Sequence, residues 1–124
     1  VHDLLPVPYY HAVFTLPDTI FPFCLYNQKV VSDLLFHSAV GALRTLLADP
    51  RWLGAEPGLT VTLETWDDRV RFHPHLHCLV TGGGLTSDGE WVEVSNPCCL
   101  VAVKPLMWEF RKRFCQGRRV RPSA

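Results

Sequence analysis

Apolar and polar residues alternate in two stretches of the chain, with the period of two that a half-buried β-strand shows. In residues 9–15 one face carries Tyr10, Ala12 and Phe14, and the other carries Tyr9, His11 and Val13. Residues 58–66 alternate as cleanly, and Glu64 and Trp66 share their more polar face. The pattern predicts a strand in each place.

Three histidines alternate in the following stretch, at His73, His75 and His77, and three glycines occupy positions 82–84. We place a strand at about residues 75–80, because Pro74 lacks the N–H that a sheet ladder requires and suits the start of a strand. The period of two puts all three imidazoles on one face and points the intervening Leu76 into a core. The glycines are expected to end the strand.

Elsewhere the apolar positions recur at the three- and four-residue steps of an amphipathic helix. The first such helix is predicted over residues 27–48, with Asn27 as its N-cap and the pair Asp49-Pro50 as its stop. Its apolar stripe consists of Val31, Leu35, Ala39, Ala42, Leu43 and Leu46. A second helix is predicted over residues 105–116, with Gly117 as its C-terminal cap.

Two short strands and one hairpin complete the predicted fold. Residues 90–92 follow a turn signal and are expected to return as a strand, and the apolar run 98–103 is typical of a buried strand. A hairpin that pairs Trp66 with His73 places Glu64 opposite His75, although a slip of one residue moves Glu64 to the other face. The element order predicts an α+β protein with a mostly antiparallel sheet carrying the histidine strand and helices packed on it.

Composition limits the class of protein. The 124 residues, 48% of them hydrophobic, are enough for one domain with a real core. No apolar run approaches the length of a membrane span, and the five cysteines form no C-x-x-C pair, so reduced thiols in a cytoplasm are expected. The chain begins without a methionine or a signal peptide, which indicates a piece of a longer protein.

The net charge is zero, but the C-terminal segment is basic. Residues 104–124 contain seven basic residues and a single acidic one, Glu109. Such a run is either a solvated face or a phosphate-binding cluster, and the sequence leaves both open. The candidate DNA-binding residues are Lys104, Arg111, Lys112, Arg113 and Arg118.

The alternating histidines also predict a metal site. Two imidazoles at positions i and i+2 of one strand converge on a common point, so His75 and His77 can offer two nitrogen ligands to one divalent ion. His73 is a possible extra ligand, and Glu64 on the facing strand is the predicted third ligand. The alternative for the histidines is a solvent-exposed strand on which they pair or stack with one another. The alternative for Glu64 is a surface carboxylate that pairs with an arginine.

Residues 5–17, 64–66 and 73–84, with Lys104 and the helix after it, resemble the HUH endonucleases and, more narrowly, the rolling-circle insertion-sequence transposases that use catalytic tyrosines. The resemblance implies a ferredoxin-like core in which two histidines and a third polar ligand hold Mg²⁺ or Mn²⁺. It also implies that single-stranded DNA at transposon ends is nicked and rejoined through a 5′-phosphotyrosine.

The chain departs from that family in two respects. Members carry a cysteine-rich zinc module upstream of the catalytic domain, and their nucleophilic tyrosines follow the histidine motif, whereas the last tyrosine here is Tyr26. No catalytic nucleophile is therefore assigned to Tyr9, Tyr10 or Tyr26. Residues 1–124 are expected to form a single, incomplete catalytic domain that is inactive alone.

Two alternative functions remain open on the sequence. The first is an unrelated metal-dependent hydrolase with an H-x-H motif, although cupins also need a nearby glutamate and an amidohydrolase barrel needs a longer chain. The second is a non-catalytic DNA-binding remnant, whose affinity for DNA would survive removal of the metal.

Overall fold

The computed structural model of the chain describes residues 8–16, 26–66, 69, 72–94 and 100–120. These residues form four strands and two helices. In chain order they are β1 (Tyr9–Thr15), α1 (Gln28–Leu47), β2 (Glu56–Trp66), β3 (Phe72–Leu85), β4 (Trp91–Glu93) and α2 (Val103–Val120). The predicted connector at 21–23, most of the turn at 67–70, and Cys98 and Cys99 lie outside the described residues.

The sheet is antiparallel throughout, with β3 in its centre. β1 and β2 flank β3, and β4 pairs with the last residues of β3. The predicted hairpin is therefore confirmed, and Glu64 does lie opposite His75. Trp66 pairs with Phe72 and not with His73, because the ladder is irregular between Glu64 and Trp66.

Both helices cover the same face of the sheet. The alternate residues of β3 that are not histidines, among them Leu76, Cys78 and Val80, are buried in one apolar cluster with the stripe of α1. Phe14 of β1 contacts Phe110 of α2, with ring centroids 4.9 Å apart. The period of two then leaves the histidine face of the sheet turned away from the helices.

Helix α1 starts and ends close to the predicted positions. Asn27 is at its N-cap but makes no side-chain cap hydrogen bond. By length and composition α1 is apolar enough to cross a membrane. Eight of its residues, on the stripe that faces the sheet and α2, are nevertheless buried, which is the pattern of a core helix.

Strand β3 is longer than the pattern predicts, because both Pro74 and the three glycines lie inside it. The glycines are needed where three strands meet. A Cβ atom on Gly83 would lie 2.6 Å from the carbonyl oxygen of Val92, and one on Gly84 would collide with the carbonyl oxygen of Glu56. The prediction that the glycines end the strand is therefore wrong: their missing side chains let β2 and β4 approach the end of β3.

Two predictions for the C-terminal third are also wrong. The apolar run 98–103 is not a strand where it is described, since Leu100 and Val101 form a buried bend and Val103 begins α2. A short apolar run cannot be distinguished from a buried connector by its pattern alone. Gly117 does not cap α2, which continues to Val120, whereas Pro105 lies in its first turn as predicted.

Candidate metal centre

Strands β2 and β3 bring three potential ligands together on the sheet face that the helices leave uncovered. Glu64 lies opposite His75, and His77 lies two residues further along β3 on the same face. On the other side of β3, Thr15 and Val13 of β1 are the partners of the two histidines. The site is thus held by backbone hydrogen bonds across three strands.

The ligand atoms converge on one point. A ring nitrogen of His75, one of His77 and a carboxylate oxygen of Glu64 all lie within 4.8 Å of one another. Nε2 of His77 is 3.1 Å from Oε1 of Glu64, and Nε2 of His75 is 3.9 Å from Oε2. The two imidazoles and one carboxylate are a ligand set that divalent metals accept.

His75 is already held in a ligand-competent tautomer. Its Nδ1 lies 2.7 Å from the backbone carbonyl oxygen of His73. Because a carbonyl oxygen only accepts hydrogen bonds, Nδ1 carries a proton, and in the neutral ring Nε2 then keeps the lone pair that a metal ion would bind. The His73 ring lies 5.5 Å from the His75 ring, and His73 is not a member of the three-atom cluster.

His77 presents an unsatisfied nitrogen to the same point. Its Nε2 is buried and has no hydrogen-bond partner, although Glu64 is close enough for an ion pair. A buried polar atom without a partner costs free energy, and a metal ion between the nitrogen and the carboxylate removes that cost. The residues present therefore fit a divalent metal.

The site remains open to solvent. The side chain of Glu64 is 53% exposed, whereas those of His75 and His77 are 15% and 29% exposed. A structural zinc site is closed by four protein ligands, whereas a catalytic site keeps positions free for substrate. Three ligands at an open face correspond to the second type.

His11 is the neighbour that the sequence interpretation missed. Its Nε2 lies 2.9 Å from Nδ1 of His77, and the two rings stack with centroids 5.0 Å apart. His11 is on β1, two residues from Val13, which pairs with His77. The alternation of residues 9–15 put His11 on the face opposite Phe14, so a sequence signal existed, but neither the exposure of that face nor its pairing partner was known.

The cysteine of the histidine strand is not part of the site. Cys78 points into the core, and burial raises the pKa of its thiol to about 11. A protonated, buried thiol neither ligates a metal nor acts as a nucleophile at neutral pH.

The predicted DNA-binding residues lie on α2, on the helix side of the sheet. Lys104 and Arg111 are exposed, and Arg111 lines a groove of about 870 Å³ beside β1. Lys112 pairs with Glu109 at 3.3 Å. Arg113 donates to Glu109 and to Thr45 of α1, so it ties the two helices together. The side chain of Arg118 lies outside the described part of the chain.

A known family shares the part of the chain that builds this site. Residues 58–121, which include most of β2 and all of β3 and α2, match the family model Y2_Tnp, described as "Putative transposase". The chain belongs to this transposase family. The membership confirms the resemblance drawn from the sequence and argues against the unrelated hydrolase.

Two curated transposases are similar to this chain over most of its length. One is the "Putative transposase y4qJ" of Sinorhizobium fredii (strain NBRC 101917 / NGR234), 43% identical over 92% of the chain. The other is the "Transposase for insertion sequence element IS801" of Pseudomonas savastanoi pv. phaseolicola, 39% identical over 71% of the chain. The chain spans 29% and 20% of the lengths of these two proteins.

Solved structures confirm the fold class predicted for this chain. The conjugative relaxase TrwC, in a metal-bound complex with oriT DNA, superposes with a TM-score of 0.65 over 88% of this chain and 42% of the relaxase. A copper-bound form of the same complex gives a TM-score of 0.66. At 12% sequence identity the likeness shows a shared HUH fold, as predicted, and carries no residue roles.

Proposed function

We propose that Glu64, His75 and His77 bind one divalent ion, Mg²⁺ or Mn²⁺, and that the chain is the metal-binding part of a transposase catalytic domain. The longer parent then nicks and rejoins single-stranded DNA at transposon ends through a phosphotyrosine. The observation that carries the proposal is the convergence of the three ligand atoms around the unsatisfied Nε2 of His77. The transposase family supplies the reaction class.

A bound ion would act as a Lewis acid that polarises the scissile phosphate and neutralises its developing charge. The protein residues supply the site: His75 and His77 present neutral nitrogens, and Glu64 brings the negative charge that attracts a cation. Carboxylate ligation suits Mg²⁺ and Mn²⁺, whereas imidazole favours Mn²⁺ over Mg²⁺. Mn²⁺ is accordingly the better probe.

The uncovered sheet face offers the surface on which the DNA strand would lie. Both helices pack on the opposite side, and the residues around the ligands, such as Thr15 and Thr62, are exposed.

We propose that none of the three tyrosines attacks a phosphate at this site. Tyr9 lies opposite Thr81, roughly 13 Å along the sheet from His77. Tyr10 packs against the core, and Tyr26, which precedes α1, is 85% exposed. We propose that the nucleophile is supplied by sequence outside these 124 residues.

The reaction leaves a covalent protein–DNA adduct, so a denaturing gel tests the proposal. A longer transposase containing this domain is incubated with Mn²⁺ and labelled single-stranded DNA from the end of its element. We expect an adduct that the double substitution His75→Ala, His77→Ala abolishes. The proposed reaction is wrong if the double variant forms the adduct as fast as the wild type.

The exposed basic residues of α2 are proposed to add affinity for DNA, and salt dependence measures their contribution. Each phosphate contact to a single strand adds about 0.7 to the slope of log affinity against log salt. We expect the double substitution Lys104→Ala, Arg111→Ala to weaken binding and to lower the slope by about 1.4. The matched control is Lys29→Ala, an exposed lysine of α1 that pairs with Asp33.

Two outcomes of this titration are informative. An unchanged slope in the double variant would show that α2 presents only a solvated face. An affinity that is the same with and without Mn²⁺ would favour the non-catalytic DNA-binding function over the metalloenzyme.

A further inference from the structure

His11 contacts the one ligand whose protonation state the rest of the site leaves undecided. The tautomer of His75 is fixed by the carbonyl oxygen of His73. His77 instead shares its Nδ1 hydrogen bond with another imidazole, because Nε2 of His11 lies 2.9 Å away. Either ring can be the donor, so the direction of this bond decides which nitrogen of His77 carries the proton.

The two directions have opposite consequences for metal binding. If Nδ1–H of His77 donates to His11, then Nε2 of His77 keeps a lone pair directed at the ligand cluster. If Nε2–H of His11 donates instead, then a neutral His77 is protonated at Nε2 and cannot ligate an ion.

The proposed metal site requires the first direction, because an imidazole ligates a metal only through an unprotonated nitrogen. Nε2 of His77 is buried and makes no hydrogen bond to any group that the structure describes, so no acceptor in the protein stabilises a proton on it. The planes of the two imidazole rings are inclined by only 16°, and this arrangement keeps Nε2 of His11 beside Nδ1 of His77.

We propose that His11 is a positioning residue, which accepts the Nδ1–H of His77 through its own Nε2 and so locks His77 in the tautomer that binds the metal. The inference rests on the proposed metal site and adds a residue from a third strand to it. His11 is not itself a ligand, since the nitrogen nearest the site is engaged by His77. It also lies outside the three-residue cluster that converges within the described chain.

The strand arrangement explains how a residue 66 positions away reaches the ligand. His11 pairs with Leu79, and His77 is its diagonal neighbour on the same face of the antiparallel pair β1 and β3. Diagonal neighbours are within reach of long or aromatic side chains. Outer partners that orient metal-binding histidines typically change metal affinity by 10- to 100-fold when they are removed.

The test compares two substitutions of His11 in the same chain. Phenylalanine keeps a flat ring for stacking but cannot accept a hydrogen bond, whereas the side-chain oxygen of glutamine can. Calorimetric titration with Mn²⁺ should give a dissociation constant about 10- to 100-fold weaker for His11→Phe, with most of the loss restored in His11→Gln. His37→Phe is the matched control, because His37 is an exposed histidine on α1.

A second readout requires no metal. Nitrogen-15 NMR of the imidazoles at pH 8 reports the tautomer of His77 directly. We expect the Nδ1–H form in the wild type and in His11→Gln, and a mixture of both tautomers in His11→Phe.

Three results would overturn the inference. A wild-type His77 protonated at Nε2 contradicts the proposed direction of the bond. Mn²⁺ binding by His11→Phe that equals the wild type, while the wild type itself binds, removes the role of His11 and leaves the metal site intact. No Mn²⁺ binding by the wild type removes the metal site itself, and the inference that rests on it.

Discussion

Replacing His75 and His77 together by alanine is expected to abolish the Mn²⁺ site of this chain. The double variant loses two of the three atoms that lie within 4.8 Å of one another and keeps only an exposed carboxylate. Removing an outer partner alone costs 10- to 100-fold in metal affinity, so we expect the loss of two direct ligands to weaken binding by more than about 100-fold. Calorimetric titration with Mn²⁺ measures the change.

His73→Ala is the matched control for this experiment. His73 belongs to the same strand and its ring lies beside that of His75, but the contribution of His73 to the site is its backbone carbonyl. Its side chain should therefore matter much less than those of His75 and His77. Equal Mn²⁺ binding by the double variant and the wild type would contradict the metal site.

A crystal structure tests whether Glu64 is the third ligand. A crystal structure with Mn²⁺ soaked in should place a carboxylate oxygen of Glu64 about 2.0–2.2 Å from the ion. A Glu64 carboxylate far beyond that distance would show that it attracts the cation without ligating it.

We expect the 124-residue chain to form no covalent adduct with single-stranded DNA. Transesterification needs a nucleophile that becomes the DNA-linked group. Tyr10 packs on the core side, Tyr9 is displaced along the sheet, and Tyr26 precedes a helix on the other face. Metal-activated water can still hydrolyse a phosphate slowly, but that reaction leaves no protein–DNA bond.

A denaturing gel of the purified chain, Mn²⁺ and labelled DNA from the end of the element tests this expectation. A band at the combined mass of protein and DNA that disappears in Tyr10→Phe or Tyr26→Phe would show that the nucleophile is in this chain. The positive control is a longer transposase that includes the domain. An adduct from the longer chain and none from the short one supports a nucleophile outside these residues.

Local pattern was enough to predict the elements that have a clear period. Residues 9–15 form β1 within the predicted bounds, α1 runs between the predicted cap and stop, and the alternation of His75 and His77 places both on one face. These features depend on residues close together in sequence, where side-chain spacing and the backbone geometry of one element determine the outcome.

Where the pattern was short or ambiguous, packing determined the result. The three glycines indicate the end of a strand when read alone, yet they lie within β3, where β2 and β4 approach too closely for a side chain. The apolar residues Leu100 and Val101 are buried without joining the sheet. In both cases the deciding contact is with a residue distant in sequence, which local spacing does not report.

The site shows the same division between sequence and tertiary structure. The sequence by itself determined that His75 and His77 share a face, that Glu64 lies on the more polar face of its strand, and that His11 lies on the face opposite Phe14. Only the pairing of three strands decided that Glu64 lies opposite His75 and that His11 reaches Nδ1 of His77. Register depends on the whole ladder, including its irregularity after Glu64, because a shift of one residue turns a side chain to the opposite face.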